Sequence, residues 1–327
     1  MMKVQGQRSE VRGQRSEVKG QRSKVKGALV LSLLSAVLGF VLAGCTTAPD
    51  EDPGTVNVLM IGNSFSISCL AHLPQVAAQG GVKLDLASLY IGGCSLKRHW
   101  ENATNDVNES FRPYRFDRVV EGRRIVDNGK ANVCEALRMA KWDIVTVQQA
   151  SHESWQTKSY SPYGEQLVAK IRELAPQAKI YVQETWSYTP WDKRLAKWNI
   201  DQNEMYDALH AAYGSFAKQQ ELQVIPFGTA VQEWRKRLPV KYTENSFGGD
   251  VVGGGKQDER DHFKRNKDNK WVPNCDVFHL GRKGEYFQAL VWAKTLLGVD
   301  LGRMDYRPDY ITESDVKLMK DIAMSMK

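Results

Sequence analysis

Five runs of apolar and β-prone residues, at 56–62, 83–92, 143–149, 179–186 and 222–228, alternate with helical patterns near 66–79, 131–141, 162–174, 202–220 and 284–297. Strands separated by helices of this length cannot pair as tight hairpins. They enter a sheet in parallel, and the helices cover both of its faces. Sheets of this kind hold their ligands outside the carboxyl ends of the strands. Residues with chemistry to offer are therefore expected just beyond each run.

The first run, Val56-Asn-Val-Leu-Met-Ile-Gly62, stops abruptly at Asn63 and Ser64, after which Leu70, Leu73, Val76 and Ala77 mark one face of a helix. The pattern predicts a buried strand that delivers a serine to a tight turn at a helix N-terminus. Capping is the ordinary role of a serine in such a turn. The same position also sets a hydroxyl beside unpaired backbone N–H groups, which suit a developing negative charge. Beyond the second run come Gly92, Gly93, Cys94 and Ser95, then Lys97, His99 and Trp100. At and beyond the end of the third come Gln148, Gln149, Ser151, His152 and Glu153, and at and beyond the end of the fourth Glu184, Trp186 and Tyr188. Polar residues mark loops everywhere, so a place at a strand end does not by itself give a residue a chemical role.

The C-terminal region adds a more specific pattern. Asn274-Cys-Asp276-Val-Phe-His279-Leu280 leads into Gly281-Arg-Lys-Gly284 and an apolar helix. An Asp three residues before a His can accept the imidazole Nδ1–H, fix the tautomer and leave Nε2 free as a base. A serine hydroxyl is a weak nucleophile until such a base takes its proton. His72, His99, His152, His210 and His262 lack this combination, and Asp261-His262 reads as a solvated surface pair. The region 239–275 is glycine-rich, then dense in Lys, Arg, Asp and Asn, and is expected to be a surface insertion able to fold over the site. Its Gly255-Lys256-Gln257 lacks the glycine register and the Ser/Thr of a phosphate loop.

Charge and cysteines narrow the setting. The first 44 residues carry eight Lys/Arg against two Glu, so six of the seven net positive charges lie there and the remainder is nearly neutral. That distribution gives no reason to expect a nucleic-acid partner. Residues 1–27 form a basic leader with a seven-residue unit starting at Gly6, Gly13 and Gly20. One valine per unit cannot make a coiled-coil seam, so the leader reads as disordered or as translation ahead of the natural start. Residues 28–41 are mostly apolar and of signal-peptide length. They close in Leu42-Ala43-Gly44-Cys45, which resembles a bacterial lipoprotein box, so that 28–45 is expected to be a lipoprotein signal with Cys45 lipidated. Residues 46–54 are a polar tether, and 55–327 are expected to form one domain. Cys69, Cys94, Cys134 and Cys275 show no zinc spacing; their pairing stays open.

Ile61-Gly62-Asn63-Ser64, the glycines after the second run, an amide after the third and Asp276-x-x-His279, in this order, resemble the SGNH/GDSL hydrolases. Gly62-Asn-Ser-Phe-Ser66 with Tyr90-Ile-Gly-Gly-Cys-Ser95 is similar to a bacterial envelope lipoprotein branch of that superfamily, of the domain-of-unknown-function type. The resemblance implies an α/β fold: a flavodoxin-like three-layer sandwich with a five-stranded parallel sheet in the order 2-1-3-4-5. It implies a serine esterase that needs no cofactor or metal, with Ser64, Asp276 and His279 catalytic. The backbone N–H groups of Ser64 and Gly93, with the side chain of Gln149, would form the oxyanion hole. Gln149 stands where the family usually has Asn, one methylene shorter, and losing one such donor costs about 10²–10³ in rate. Asn63, Gln148, His152, Glu184, Trp186 and Trp100 are candidates for substrate contact. Trp155 and Tyr188 are further rings able to stack on a sugar, although aromatics more commonly serve the core. The expected substrate is an acylated, chiefly O-acetylated, carbohydrate or another small ester. The expected location is the cell envelope, anchored by the lipid on Cys45. Thr46, rather than Asp, after that cysteine leans toward the outer membrane. A glycan-binding protein that has lost catalysis and an acyltransferase using the same triad are the alternatives.

Overall fold

The computed structural model describes residues 54–105, 108, 110–238, 243, 246–254 and 263–326. The leader, the signal segment, Cys45 and residues 46–53 of the tether lie outside the described residues, as do Lys256, Gln257, Asp261 and His262.

β1 (Thr55–Gly62) lies at the centre of the sheet, parallel to β2 (Lys83–Tyr90) on one side and to β5 (Ile144–Val147) on the other. Both faces of β1 are covered, which is why Val58, Leu59, Met60 and Ile61 form an unbroken apolar run that is no more than 1% exposed. β6 (Lys179–Gln183) and β7 (Gln223–Ile225) continue the sheet in parallel beyond β5. The opposite edge departs from the expectation of five parallel strands. There β3 (Tyr114–Val120) and β4 (Arg123–Ala131) add antiparallel to β2, giving seven strands in the order β4-β3-β2-β1-β5-β6-β7.

This hairpin escapes a hydrophobic reading because β4 is almost wholly exposed and carries Arg123, Arg124, Asp127, Asn128 and Lys130. Charge and irregular register are what keep an edge strand from pairing with another molecule. Its two-residue turn, Glu121-Gly122, has φ of 48° and 76°, so the turn twists with the strands even without the usual Asn-Gly.

The chain leaves β1 toward β2 and later steps the opposite way from β5 to β6 to β7. With right-handed crossovers, that reversal puts the connecting helices on opposite faces and opens a crevice at the carboxyl end of β1. The first connection is expected to be one helix over 66–79. It is instead α1 (Ser64–Ile67), a 3₁₀ turn at Ser68–Ala71, and α2 (Leu73–Gln79). Pro74 explains the break: it has no N–H to donate, so it fits the first turn of a new helix and not the interior of a continuing one. α2 packs with α9 (Arg282–Leu297), which also meets α8 (Phe227–Arg237) and α10 (Glu313–Ser325). On the other face, α3 (Leu96–Thr104) packs against α4 (Val133–Arg138) and α5 (Tyr163–Leu174). α6 (Lys193–Trp198) and α7 (Gln202–Gln220) complete the connection from β6 to β7.

The expected insertion is partly described. β8 (Phe263–Arg265) and β9 (Trp271–Pro273) form a small separate hairpin, and residues 246–254 run back to the main body. Among the described residues no disulfide joins Cys69, Cys94, Cys134 and Cys275, and the first three are buried. Among the described residues no helix is long and apolar enough to cross a membrane.

Candidate active site

The turn after β1 is built by Asn63. Its Oδ1 accepts from the Phe65 N–H at 3.0 Å, and its backbone oxygen accepts from the N–H groups of Ser66 and Ile67. Asn63 is therefore the N-cap of α1, and Ser64 is the first helical residue. A Cβ at Gly62 would lie 2.2 Å from Ser66 Oγ, so a larger residue there would displace the hydroxyl that donates to the Asn63 carbonyl. Behind the turn, the Phe65 carbonyl accepts from Gln183 Nε2 at 2.8 Å and from Gln288 Nε2 at 2.7 Å, tying α1 to β6 and α9.

Ser64 Oγ lies 2.7 Å from His279 Nε2, and His279 Nδ1 lies 2.6 Å from Asp276 Oδ2. The other Asp276 oxygen accepts from the N–H groups of Phe278 and His279, both at 2.8 Å. Partial burial would raise the Asp276 carboxyl, but the bond from the His279 ring, the two backbone bonds and the His279 charge outweigh it and hold the group at about 2. At neutral pH Asp276 is thus a carboxylate that can only accept. The imidazole proton then sits on Nδ1, and Nε2 is left to accept from the serine hydroxyl.

Two segments hold the Asp276–His279 loop. Beyond β6, Trp186 Nε1 donates to the Phe278 carbonyl at 2.8 Å, and Thr189 Oγ1 donates to the Val277 carbonyl at 2.8 Å. From the glycine-rich stretch, Gly253 N–H donates to the His279 carbonyl at 2.8 Å and Gly254 N–H to the Asp276 carbonyl at 3.1 Å. That stretch is itself fixed to α8 by a buried ion pair, Arg235 Nε to Asp250 Oδ2 at 2.9 Å. The insertion thus supports the loop bearing the histidine.

The glycine turn after β2 is pinned beside Ser64, since Asn63 Nδ2 donates to the Cys94 carbonyl at 3.0 Å. Gly93 has φ of +60°, a backbone state that disfavours any residue with a Cβ. Its N–H and that of Ser64 have no hydrogen-bond partner among the described residues. Next to it, burial pushes the Cys94 thiol up to about 12, against smaller lowering by Arg98 and Tyr114, so Cys94 is a neutral packing group. Burial, reinforced by the Arg98 charge, brings His99 down to about 3. His99 is a neutral ring 2.9 Å from the Tyr114 hydroxyl.

A groove of about 480 Å³ opens on Ser64, Asp276 and His279. A larger cavity of about 730 Å³, beside α7, contains none of these three and takes in Trp155 instead. Among the described residues no cluster of three or more His, Cys, Asp or Glu is arranged to hold a metal ion.

Residues 57–250 match the model of a family described as a domain of unknown function, DUF4886. The chain belongs to that family. A DUF4886 family protein from Bacteroides uniformis has the same fold, with 27% identity and a TM-score of 0.66 over 82% of this chain and 93% of its own. More distant likenesses include a family 3 carbohydrate esterase from Clostridium thermocellum, with 12% identity and a TM-score of 0.41 over 75% of this chain and 96% of that one. Another is a member of the lipolytic G-D-S-L family from Veillonella parvula, with 10% identity and a TM-score of 0.39 over 74% and 99%. Among curated proteins none matches significantly.

Several residues expected to touch substrate in this DUF4886 protein face inward. Gln149 is fully buried: its Oε1 accepts from the N–H groups of Leu96 and Ala150, and its Nε2 donates to the carbonyl and hydroxyl of Ser159. With both amide hydrogens committed there, it is not the third oxyanion donor. Gln148 is buried and donates to Asn63 Oδ1, so Asn63 and Gln148 shape the serine turn rather than bind substrate. Glu184 is 1% exposed; it takes His210 Nδ1 at 2.6 Å and the Thr229 N–H at 2.6 Å in the first turn of α8. Trp186 is fully buried, stacked on Phe65 with centroids 4.0 Å apart, and Tyr188 is buried against Ser151. Neither ring can serve as a sugar platform. Trp100 packs partly into the core, and His152 stands 3.5 Å from Glu153; neither lines the groove.

Two features were not anticipated. Arg194 lies over the rings of both Tyr188 and Phe278, at 4.1 and 4.2 Å, and braces the residue next to His279. Arg115 and Arg124, from the hairpin, line the groove with Ser64. No motif marks them, because a pair of arginines on an edge hairpin reads as solvated surface.

Proposed function

We propose that this DUF4886 protein is a serine esterase that removes acyl groups, chiefly O-acetyl, from carbohydrate at the cell envelope. The observation that carries the reading is the chain of two short bonds from Ser64 through His279 to Asp276. His279 Nε2 takes the serine proton as Oγ attacks the ester carbonyl, and the carbonyl electron pair moves onto its oxygen. The N–H groups of Ser64 and Gly93 are available to that oxyanion. Collapse expels the alcohol, which leaves with the proton from His279, and the acyl group remains on Ser64. Water then gives a proton to His279 as it attacks the acyl carbon. The second collapse releases the carboxylic acid and returns a proton to Ser64.

The envelope setting rests on the signal-like segment and on Cys45, whose lipid would anchor the chain, with the outer membrane favoured by Thr46. The carbohydrate part rests on that setting. One observation favours the rival reading of a glycan-binding protein without catalysis: the inward turn of Gln149 leaves the oxyanion with backbone donors alone. The bonded triad weighs more, because a binding protein has no use for a serine held on a histidine.

The test is p-nitrophenyl acetate hydrolysis by the chain from residue 46, beside Ser64→Ala and His279→Ala. Turnover by the wild type with a fall of about 10³ or more in each variant is the expected result. Three equally inert proteins would move the binding reading ahead.

A further inference from the structure

We propose that the groove beside Ser64 selects acylated substrates whose alcohol part carries a carboxylate, held by Arg115 and Arg124. This rests on the esterase reading and adds the class of alcohol to it.

Strand register places the first arginine. Gly62 pairs with Tyr90, and Tyr90 pairs with Arg115, so the three lie in one row across β1, β2 and β3. Strands are spaced by nearly 5 Å, so the Arg115 backbone lies roughly 10 Å from Gly62. Ser64 follows Gly62 by two residues, and the gap is one that a single sugar ring attached to the acyl group can fill. Arg124 comes from β4, and both side chains line the groove with Ser64 and His279.

The pair is held in place from beneath. Asp117 is fully buried: its Oδ1 accepts from Arg115 Nη2 at 3.0 Å and Arg124 Nη1 at 3.2 Å, and its Oδ2 lies 2.7 Å from Arg115 Nε as an ion pair without hydrogen-bond geometry. The same carboxylate accepts the Asn128 N–H, and Asp127 takes Arg124 Nη1 at 3.0 Å from the outside. These contacts fix the planes of the two guanidiniums. They leave Arg115 Nη1 and Arg124 Nη2 without a partner among the described residues, on side chains that are 37% and 41% exposed. A fixed guanidinium with free N–H groups matches a planar carboxylate. Asp117 and Asp127 formally balance the two guanidiniums, so a substrate carboxylate is drawn by the unpartnered N–H edges and not by an excess of charge. Glu285, also lining the groove, belongs to the first turn of α9, where the helix N-terminus favours an acid. The groove is therefore polarised by its donors, with the free guanidinium N–H groups on the hairpin side and the Glu285 carboxylate on the α9 side.

The test compares acetate release from an O-acetylated methyl glucuronide and from the matching O-acetylated methyl glucoside, with p-nitrophenyl acetate alongside. At low salt the wild type is expected to show about tenfold or greater kcat/KM on the glucuronide, carried by KM and shrinking as salt is added. Arg124→Gln is expected to bring the ratio of the two substrates toward one. Arg115→Lys, which keeps the charge over Asp117 but loses the fork, should also lower it. The wild-type comparison needs no variant to fold. Cleavage of p-nitrophenyl acetate with no preference between the sugars, or with neither sugar cleaved, overturns this inference alone, as does an unchanged ratio in a folded Arg124→Gln. Inertness toward all three esters overturns the esterase reading and this inference with it.

Discussion

Asp276 feels two opposed influences. Its partial burial penalises the charge, while the His279 ring and two backbone N–H groups favour it, and the second influence wins. Replacing it with Asn would present an amide to Nδ1 and allow the wrong tautomer, so Asp276→Asn is expected to lower kcat by about 10³–10⁴ on p-nitrophenyl acetate. The same shift has a sign in stability. A carboxylate depressed in the folded state stabilises above its ordinary range and loses that contribution as pH falls from about 4 toward its folded value. The gap in melting temperature between wild type and Asp276→Asn should therefore be full near pH 7 and close on the way down to about 2. A gap constant with pH would show that the charge of Asp276 is not what the fold uses. The Asp276–His279 pair is legible from local spacing, whereas Ser64 joins it through the resemblance in motif order and not by spacing. Gln149, Glu184 and Trp186 stand after the expected strands but turn inward. Sequence locates a polar residue at a strand end; which way its side chain points depends on partners such as Ser159 and Thr229 that no local pattern reveals.

The segment after β6 acts as a support for the segment bearing the histidine, and Trp186 makes the link. Its ring is buried on Phe65 while its N–H holds the Phe278 carbonyl. Trp186→Phe keeps most of the stack and removes the bond, whose net worth is about 1 kcal/mol, so kcat is expected to fall several-fold with KM unchanged. A rise in KM instead would mean that the ring touches substrate after all. At this scale the parallel strands were legible because burial on both faces writes continuous apolar runs, as in β1 and β5. The β3–β4 hairpin was not: β4, at the exposed edge, writes charge in place of an apolar run, and in β3 Arg115, Asp117 and Arg118 interrupt the apolar positions. That omission concealed Arg115 and Arg124.

For the molecule as a whole, the DUF4886 match ends at residue 250, while Asp276, His279 and α9 follow it. α9 is no appendage: Tyr286, Phe287, Leu290 and Trp292 are all fully buried, and the helix packs against α2, α8 and α10. Over Gly284–Ala293 it is buried on every side, because it lies inside a helical layer. At about 1.5–3 kcal/mol for each fully buried side chain of this size, those four residues contribute roughly 6–12 kcal/mol. The net stability of a domain is only about 5–15 kcal/mol. A chain shortened to residues 54–250 should therefore lack a cooperative thermal transition and expose apolar surface, while residues 54–327 melt as one unit. Dye binding and a calorimetric scan of the two chains would check this. A sharp transition in the shortened chain would mean that the sheet and the remaining helices close a core without α9. His279 would then belong to an attachment, instead of lying between the serine turn and a helix on which the fold itself depends.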